Sequence, residues 1–456
     1  MPRADSLVSV EIDTLEKVRK IADPDAETPF HILVAGNFSG GEGRHRKAVG
    51  IDRDDFDIVM AFLSPEARVS AGGVAAGIRF EEIDDFHPDR LFQNVEAMRA
   101  LRNLRKRLVD PATFAAAAAE FFPSRAPAAE RPAELRGKSG ADLLSMMLGE
   151  TPAPGPKPAR SDWDEMLRRL VAPYVVSNPD PRQAELVAQA DGAIAGHMRS
   201  ILHDRAFQAL ESVWRGLFFL SRRLETGEQL KIFVLDLPQE ELATEEGIAA
   251  FTRALAEGEW GAIAGLWNFS PSDEPVLTRL AAQAHNARAP LITGLAPDVV
   301  GLERVFDSLR RTPDAAWLGL ALPRFLLRLP YGAGTDEIES FSFEEMPSPP
   351  EHERYLWGHP AFACACLLGE AFSRWGWNMR PGMVDTIDGL PAHVYRNDGA
   401  PELKPCAEVL LTEDAAEALL DRGFIPLVSI RDSDQVRVLR MQSLALAPSL
   451  IAGRWR

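Results

Sequence analysis

Three short apolar runs recur through the middle of the chain: LKIFVLDL at Leu230 to Leu237, AIAGLWNF at Ala262 to Phe269 and PLITGL at Pro290 to Leu295. Each is too short for a buried helix and reads as a strand covered on both faces. Helix-length segments of mixed polarity separate them, and strands that alternate with helices build a mostly parallel α/β sheet. FHILVAGNF at Phe30 to Phe38 has the same character, with four apolar residues after His31 and a stop at Gly36. GIRFEEI at Gly77 to Ile83 alternates more and predicts a second strand near the N-terminus. GFIPLVSI at Gly423 to Ile430 and QVRVLRM at Gln435 to Met441 supply the last two.

Helical signals fill the gaps. After the start at Asp85 to Pro88, apolar residues at Leu91, Val95, Met98, Leu101, Leu104 and Leu108 predict one amphipathic helix. Arg99, Arg102, Arg105 and Arg107 toward its end suit the negative pole of the macrodipole and read as a solvated basic face. Beyond Gln183, Ile194, Met198, Ile201 and Leu202 belong to one helix, and Phe207, Leu210, Trp214, Leu217 and Phe218 to a second packed on it. Between Pro111 and Pro181 the chain turns to Ala, Pro, Arg and Glu, the composition of a linker. SGADLLSMMLGE at Ser139 to Glu150 interrupts it as a short amphipathic helix.

At about 150 residues per domain, 456 residues correspond to about three folding units, and 46% hydrophobic content excludes global disorder. With 67 acidic against 50 basic side chains the net charge is -17, which opposes general nucleic-acid binding. Three cysteines make no disulfide framework, the opening MPRADSLVSVEID has no apolar signal core, and no uncharged apolar stretch of about 18 residues occurs. A cytoplasmic protein without membrane insertion is expected.

The search for chemistry returns no catalytic, cofactor or metal site. The glycine cluster GNFSGGEGRHRK follows a buried strand, as a phosphate loop would, but Gly41 is followed by Glu42 rather than Lys and Ser or Thr, so it reads as a turn. Cys364 and Cys366 are two apart, on opposite sides of a helix, and read as buried thiols rather than metal ligands. Asp236 ends a strand, where α/β enzymes place catalytic groups, and His203 lies in SILHDRAF; neither has a partner visible in the sequence. Enzyme activity is not expected.

Several longer stretches resemble the contractile-sheath proteins of type VI secretion systems. PFHILVAGNFSG and IRFEEIDDFHPDRLFQNVEAMRALRNLRKRL are similar to the small (TssB/VipA-like) subunit. ILHDRAFQALESVWRGLFFL, LKIFVLDL followed by EEL, LGLALPRFLLRLPYG, FSFEE, YLWGHPAFACACLLGEAFSRWGW and LLTEDAAEALLDRGFIPLVSIRDSD resemble the large (TssC/VipB-like) subunit, in the family's order. The resemblance implies a fusion with an interlocked, multi-domain α/β architecture of mixed sheets flanked by helices. The expected division is a small-subunit-like unit over 1–110, a linker over 111–183 with a helix near 140–149, and a large-subunit-like core over 184–456.

By the same resemblance the function is structural: a sheath-like subunit that assembles by strand donation around an inner tube. The alternatives are a non-polymerising accessory or regulatory sheath homologue and, from another class, a small-molecule enzyme of α/β fold. Expected partners are other copies or other sheath subunits, the inner-tube protein, the baseplate and a hexameric AAA+ unfoldase. Leu143, Leu144, Met147 and Leu148 are the expected unfoldase contact, and Val8, Val10 and Ile12 the expected donated strand. After Met441 the chain offers no obvious second strand for such a joint, so this protein alone is expected to form small closed oligomers or to wait for a partner.

Overall fold

The computed structural model describes residues 23–71, 74–121, 180–296 and 305–456. These form two compact units, one made by the chain up to Leu91 together with everything from His197 onward, the other by Phe92–Gly196.

The larger unit begins with strand β1 (Phe30–Gly36), short strand β2 (Val49–Ile51), helix α1 (Phe56–Leu63) and the hairpin β3 (Glu66–Ala71) with β4 (Val74–Arg79). The chain leaves this unit within α2 (Pro88–Asn94). Helices α3 (Glu96–Val109) and α4 (Phe114–Phe121) lie in the smaller unit, and α5 (Gln183–Leu202) leads back out of it. Then come α6 (Arg205–Arg223), β5 (Leu230–Asp236), α7 (Glu245–Glu257), β6 (Trp260–Phe269), α8 (Glu274–Asn286), β7 (Leu291–Leu295) and β8 (Leu318–Leu322). The last part holds β9 (Phe325–Leu326), β10 (Trp357–Gly358), α9 (Pro360–Trp375), β11 (Thr386–Ile387), β12 (Val394–Asn397), β13 (Ala400–Leu403), α10 (Glu413–Asp421), β14 (Phe424–Ser429) and β15 (Val436–Val438).

A nine-stranded sheet organises the larger unit, in the order β11-β15-β14-β8-β7-β6-β1-β5-β2. Strands β5, β1, β6, β7, β8 and β14 run parallel; at one edge β2 pairs antiparallel to β5, and at the other β15 pairs antiparallel to both β14 and β11. The N-terminal β1 is interior: all seven of its residues pair with β5, from Phe30 opposite Leu230 to Gly36 opposite Asp236, and its other side pairs with β6. Its continuous apolar run follows from that position, because both faces are covered. Leu33 and Ala35 join a core with Leu235, Phe251, Trp267, Leu277 and Leu280, under α7 and α8. On the opposite face Phe30 stacks on Phe372 of α9 at 4.8 Å. Residues Pro360 to Gly369 of α9 are all buried, which explains a helix of such low polarity.

The predicted single helix over 88–108 is two helices. Val95 adopts extended angles (φ -75°, ψ 122°) between α2 and α3. Periodicity does not register the break, since Leu91, Val95, Met98 and Leu108 are buried all the same. Within the smaller unit Arg102 donates to Phe92 O and Gln93 O, both at 2.5 Å, so it caps the carbonyls of α2. Arg105 pairs with Asp191 and Arg107 with Glu120 at 2.6 Å. The expected solvated basic face is therefore mostly paired. Leu108, Phe114, Ala117, Leu186 and Ala190 form that unit's core.

Candidate functional site

The parallel register of β1 and β5 sets Asp236 beneath the glycine-rich loop that follows Gly36. Its carboxylate is fully buried. Oδ1 accepts from the amides of Phe38 at 2.9 Å and Ser39 at 3.1 Å, and Oδ2 from the amide of Arg44 at 2.9 Å. Glu241, just beyond β5, accepts from the Gly43 amide at 2.9 Å and pairs with Arg46. The N–H groups that such a loop would turn toward phosphate are thus engaged by two carboxylates of the same chain. Gly40 sits at φ +78°, where a Cβ would lie 2.2 Å from Glu66 O, so the turn requires glycine. The loop is a structural clamp between β1 and β5, and Asp236 is its anchor.

A second cluster was not anticipated, although its residues fall inside the stretches that carried the resemblance. Glu211 and Glu345 are fully buried and Arg328 nearly so. Arg328 Nε donates to Glu211 Oε1 at 2.8 Å, and its Nη1 and Nη2 donate to Glu345 at 2.7 and 3.1 Å. Its guanidinium lies 4.2 Å from the centre of the Tyr331 ring. Arg215, four residues after Glu211 on α6, donates to Glu211 at 2.7 Å and to the Tyr331 hydroxyl at 2.8 Å. His203 Nε2 lies 3.3 Å from Glu345, close to the carboxylate but without a well-directed hydrogen bond to it.

Two carboxylates against two guanidiniums make a balanced buried network, the arrangement under which buried charge is tolerated. Burial would raise the Glu345 carboxyl, but Arg328, His203 and the Tyr331 amide outweigh it and hold the carboxyl at about 2. Burial pushes the Tyr331 hydroxyl up to about 12. The network ties α6 to the segment after β9, and nothing in it is poised to react. One signal for it was present: Glu211 lies on the apolar stripe of Phe207, Leu210, Trp214 and Leu217, a position where an isolated charge demands a buried partner.

His359 caps α9, its Nδ1 accepting from the Ala361 amide at 3.2 Å while Nε2 lies 3.0 Å from Trp267 O. Burial lowers this imidazole to about 4, so it is neutral. Cys364, Cys366 and Cys406 are free and buried, and burial alone raises the Cys364 thiol to about 12. Among the described residues no group of three His, Cys, Asp or Glu is placed to hold a metal. Among them, too, no helix is long and apolar enough to cross a membrane. The sheet edges are short, three residues in β2 and two in β11. Val8, Val10, Ile12, Leu143, Leu144, Met147 and Leu148 lie outside the described residues.

Two family models match the chain. One, described as EvpB/VC_A0108, tail sheath N-terminal domain, covers residues 184–253 and 304–445. The other, Type VI secretion system, VipA, VC_A0107 or Hcp2, covers residues 14–121. A relative from Pseudomonas aeruginosa, "Type VI secretion system sheath protein TssC1", is 31% identical over 313 residues, which are 59% of this chain and 63% of the relative. The chain thus spans under two thirds of that relative's length. Among solved structures, the anti-feeding prophage baseplate is 13% identical with a TM-score of 0.30, covering 51% of this chain and 49% of that one. The contracted helical sheath of the same prophage is 15% identical with a TM-score of 0.29, covering 52% of each chain.

Proposed function

Because the chain joins on one polypeptide the regions of the small and large type VI secretion sheath proteins, we propose that it is a fused structural subunit of a contractile sheath. One observation carries the reading. Strand β1, from the region matched by the small-subunit model, pairs along its whole length with β5, from the region matched by the large-subunit model. Two sequences that share one sheet are one structural unit, and the fusion keeps them in equal number.

In this reading residues 1–110 are the small-subunit-like part, 111–183 the connection and 184–456 the large-subunit-like part. The protein works in the cytoplasm without turnover. Its partners are further copies or other sheath subunits, an inner-tube protein and a baseplate. Val8, Val10 and Ile12 form the donated strand, and the short antiparallel edges of the sheet support pairing with such a strand without inviting uncontrolled aggregation. Leu143, Leu144, Met147 and Leu148 are read by a hexameric AAA+ unfoldase.

Negative-stain microscopy of the purified protein, alone and mixed with separate small and large sheath subunits, tests the proposal. Small closed oligomers are expected from the protein alone, and regular stacks or tubes from the mixture. A monomer in both samples, across the micromolar range, defeats it. A peptide of residues 139–151 titrated into the unfoldase's N-terminal domain tests the contact on its own, and no binding at hundreds of micromolar removes that part.

A further inference from the structure

Lys404, directly after β13, is held in an unusual setting for one of only eight lysines in the chain. Its Nζ lies 5.0 Å from the centre of the Tyr355 ring and 5.7 Å from that of Trp357. It donates to His352 Nδ1 at 2.9 Å. An ammonium accepts no hydrogen bond, so this contact fixes His352 as the tautomer protonated on Nε2, with Nδ1 as a free base. The arrangement is supported from behind. Trp357 Nε1 donates to His352 O at 3.2 Å, the Tyr355 hydroxyl lies 2.6 Å from His393 Nδ1, and the Lys404 amide donates to His393 O at 2.9 Å.

Among the described residues no carboxylate lies within ion-pairing distance of Nζ. Glu408, one of the two acids facing it, is taken by Arg324 at 2.8 and 2.5 Å, and the other is Glu353. Burial lowers Lys404 from the usual lysine range despite those acids, and burial with the adjacent Lys404 cation lowers His352. Most lysines at a protein surface are fully protonated and have no base at hand. This one has a neutral imidazole in contact and no anion holding its charge, the circumstances that make an amine nucleophilic.

We propose that Lys404 is a site of Nε-acylation by an activated acyl donor, an acyl phosphate or an acyl thioester, with His352 as the base. The ammonium passes one proton to His352 Nδ1 and thence to water. The Nζ lone pair forms the C–N bond to the acyl carbon, and the C–O or C–S bond breaks, its electron pair leaving with phosphate or thiolate. The second proton goes to the departing group. The product is a neutral amide, so the cation leaves the faces of Tyr355 and Trp357. The link between the turn before β10 and the β12–β13 hairpin weakens accordingly.

The test uses the full-length protein, treated briefly in separate arms with acetyl phosphate and with acetyl-coenzyme A, followed by peptide mass spectrometry. Lys47 and Lys231, both exposed, serve as internal references. In at least one arm Lys404 is expected to acquire acetyl at least about tenfold faster than either reference, a threshold set below the roughly 10²–10⁴-fold that a positioned base supplies. The arm that does so identifies the donor. His352→Gln keeps an acceptor but takes up no proton, and should bring the Lys404 rate down to the references while leaving theirs unchanged. Should that variant not fold, the wild-type Lys404 rate against pH replaces it, with a plateau expected at a lower pH than that of an unstructured lysine peptide treated alongside. A Lys404 rate equal to the references in both arms, an unchanged rate in folded His352→Gln, or coincident pH profiles overturns the proposal.

Discussion

Without the Arg328 guanidinium, Glu211 and Glu345 would face each other in the protein interior with only Arg215 to balance them. Arg328→Met is therefore expected to cost about 3–5 kcal/mol in urea unfolding, because a buried charge stripped of its partner is worse than no charge. Adding Glu211→Gln and Glu345→Gln to that variant should recover much of the loss; a loss that stays the same would show that packing, not charge, dominates there. Acid acts on His359 and on this network in two successive windows that overlap only near pH 4. Glu345 is held at about 2 against an ordinary 4.5, so its contribution is complete above 4.5 and disappears as pH falls from there toward 2. His359 is held at about 4 against 6.5, so the fold favours the neutral ring, and stability falls as pH drops from 6.5 to 4. Melting temperature against pH should decline in that upper window, and His359→Asn, which still offers a cap oxygen, should flatten the decline. At this scale the sequence was half legible. It marked Asp236 by its place at a strand end, but the amides that Asp236 binds belong to a loop about 200 residues earlier, a distance that periodicity does not bridge.

Helix α6 packs against α9 at Gly216, where a Cβ would lie 2.2 Å from the Phe362 ring. Gly216→Ala is expected to lose about 1–3 kcal/mol through overpacking, in spite of alanine's better helix propensity. Gly192 on α5 has nothing within 4 Å of its would-be Cβ, and Gly192→Ala should gain up to about 1 kcal/mol. Chemical denaturation of the pair reads the difference directly; equal effects would mean that the two helices do not pack as described. The strands of the sheet were the most readable elements. Both-face burial leaves short, nearly continuous apolar runs in β1, β5, β6, β7 and β14, and their length marks them as strands. The boundary between α2 and α3 was hidden for the opposite reason, since one extended residue with a buried side chain leaves the apolar spacing intact. The role of the arginines on α3 was hidden too, as their partners depend on where α4 and α5 lie.

Across the molecule, the interior position of β1 predicts how the chain responds to being cut. A protease site introduced between Pro123 and Pro158 should yield two fragments that elute together on a sizing column and separate only in denaturant. The hydrogen bonds of β1 to β5 and β6 are independent of the connection. Fragments that part under native conditions would contradict the shared sheet. The alternation of strands and helices announced the α/β class, but the order in which the strands assemble was not written locally: a strand near residue 30 had no sequence mark saying that its neighbours begin at Leu230 and Trp260. The same arrangement sets a timetable for the ribosome. Strand β5 follows β1 by about 200 residues, an interval of roughly 10–40 s at usual elongation rates. Through that interval a largely apolar strand waits in the nascent chain with neither neighbour made. This makes the half-synthesised protein a client for chaperones that shield extended apolar segments, and makes β1 the place where translation speed and correct folding are coupled.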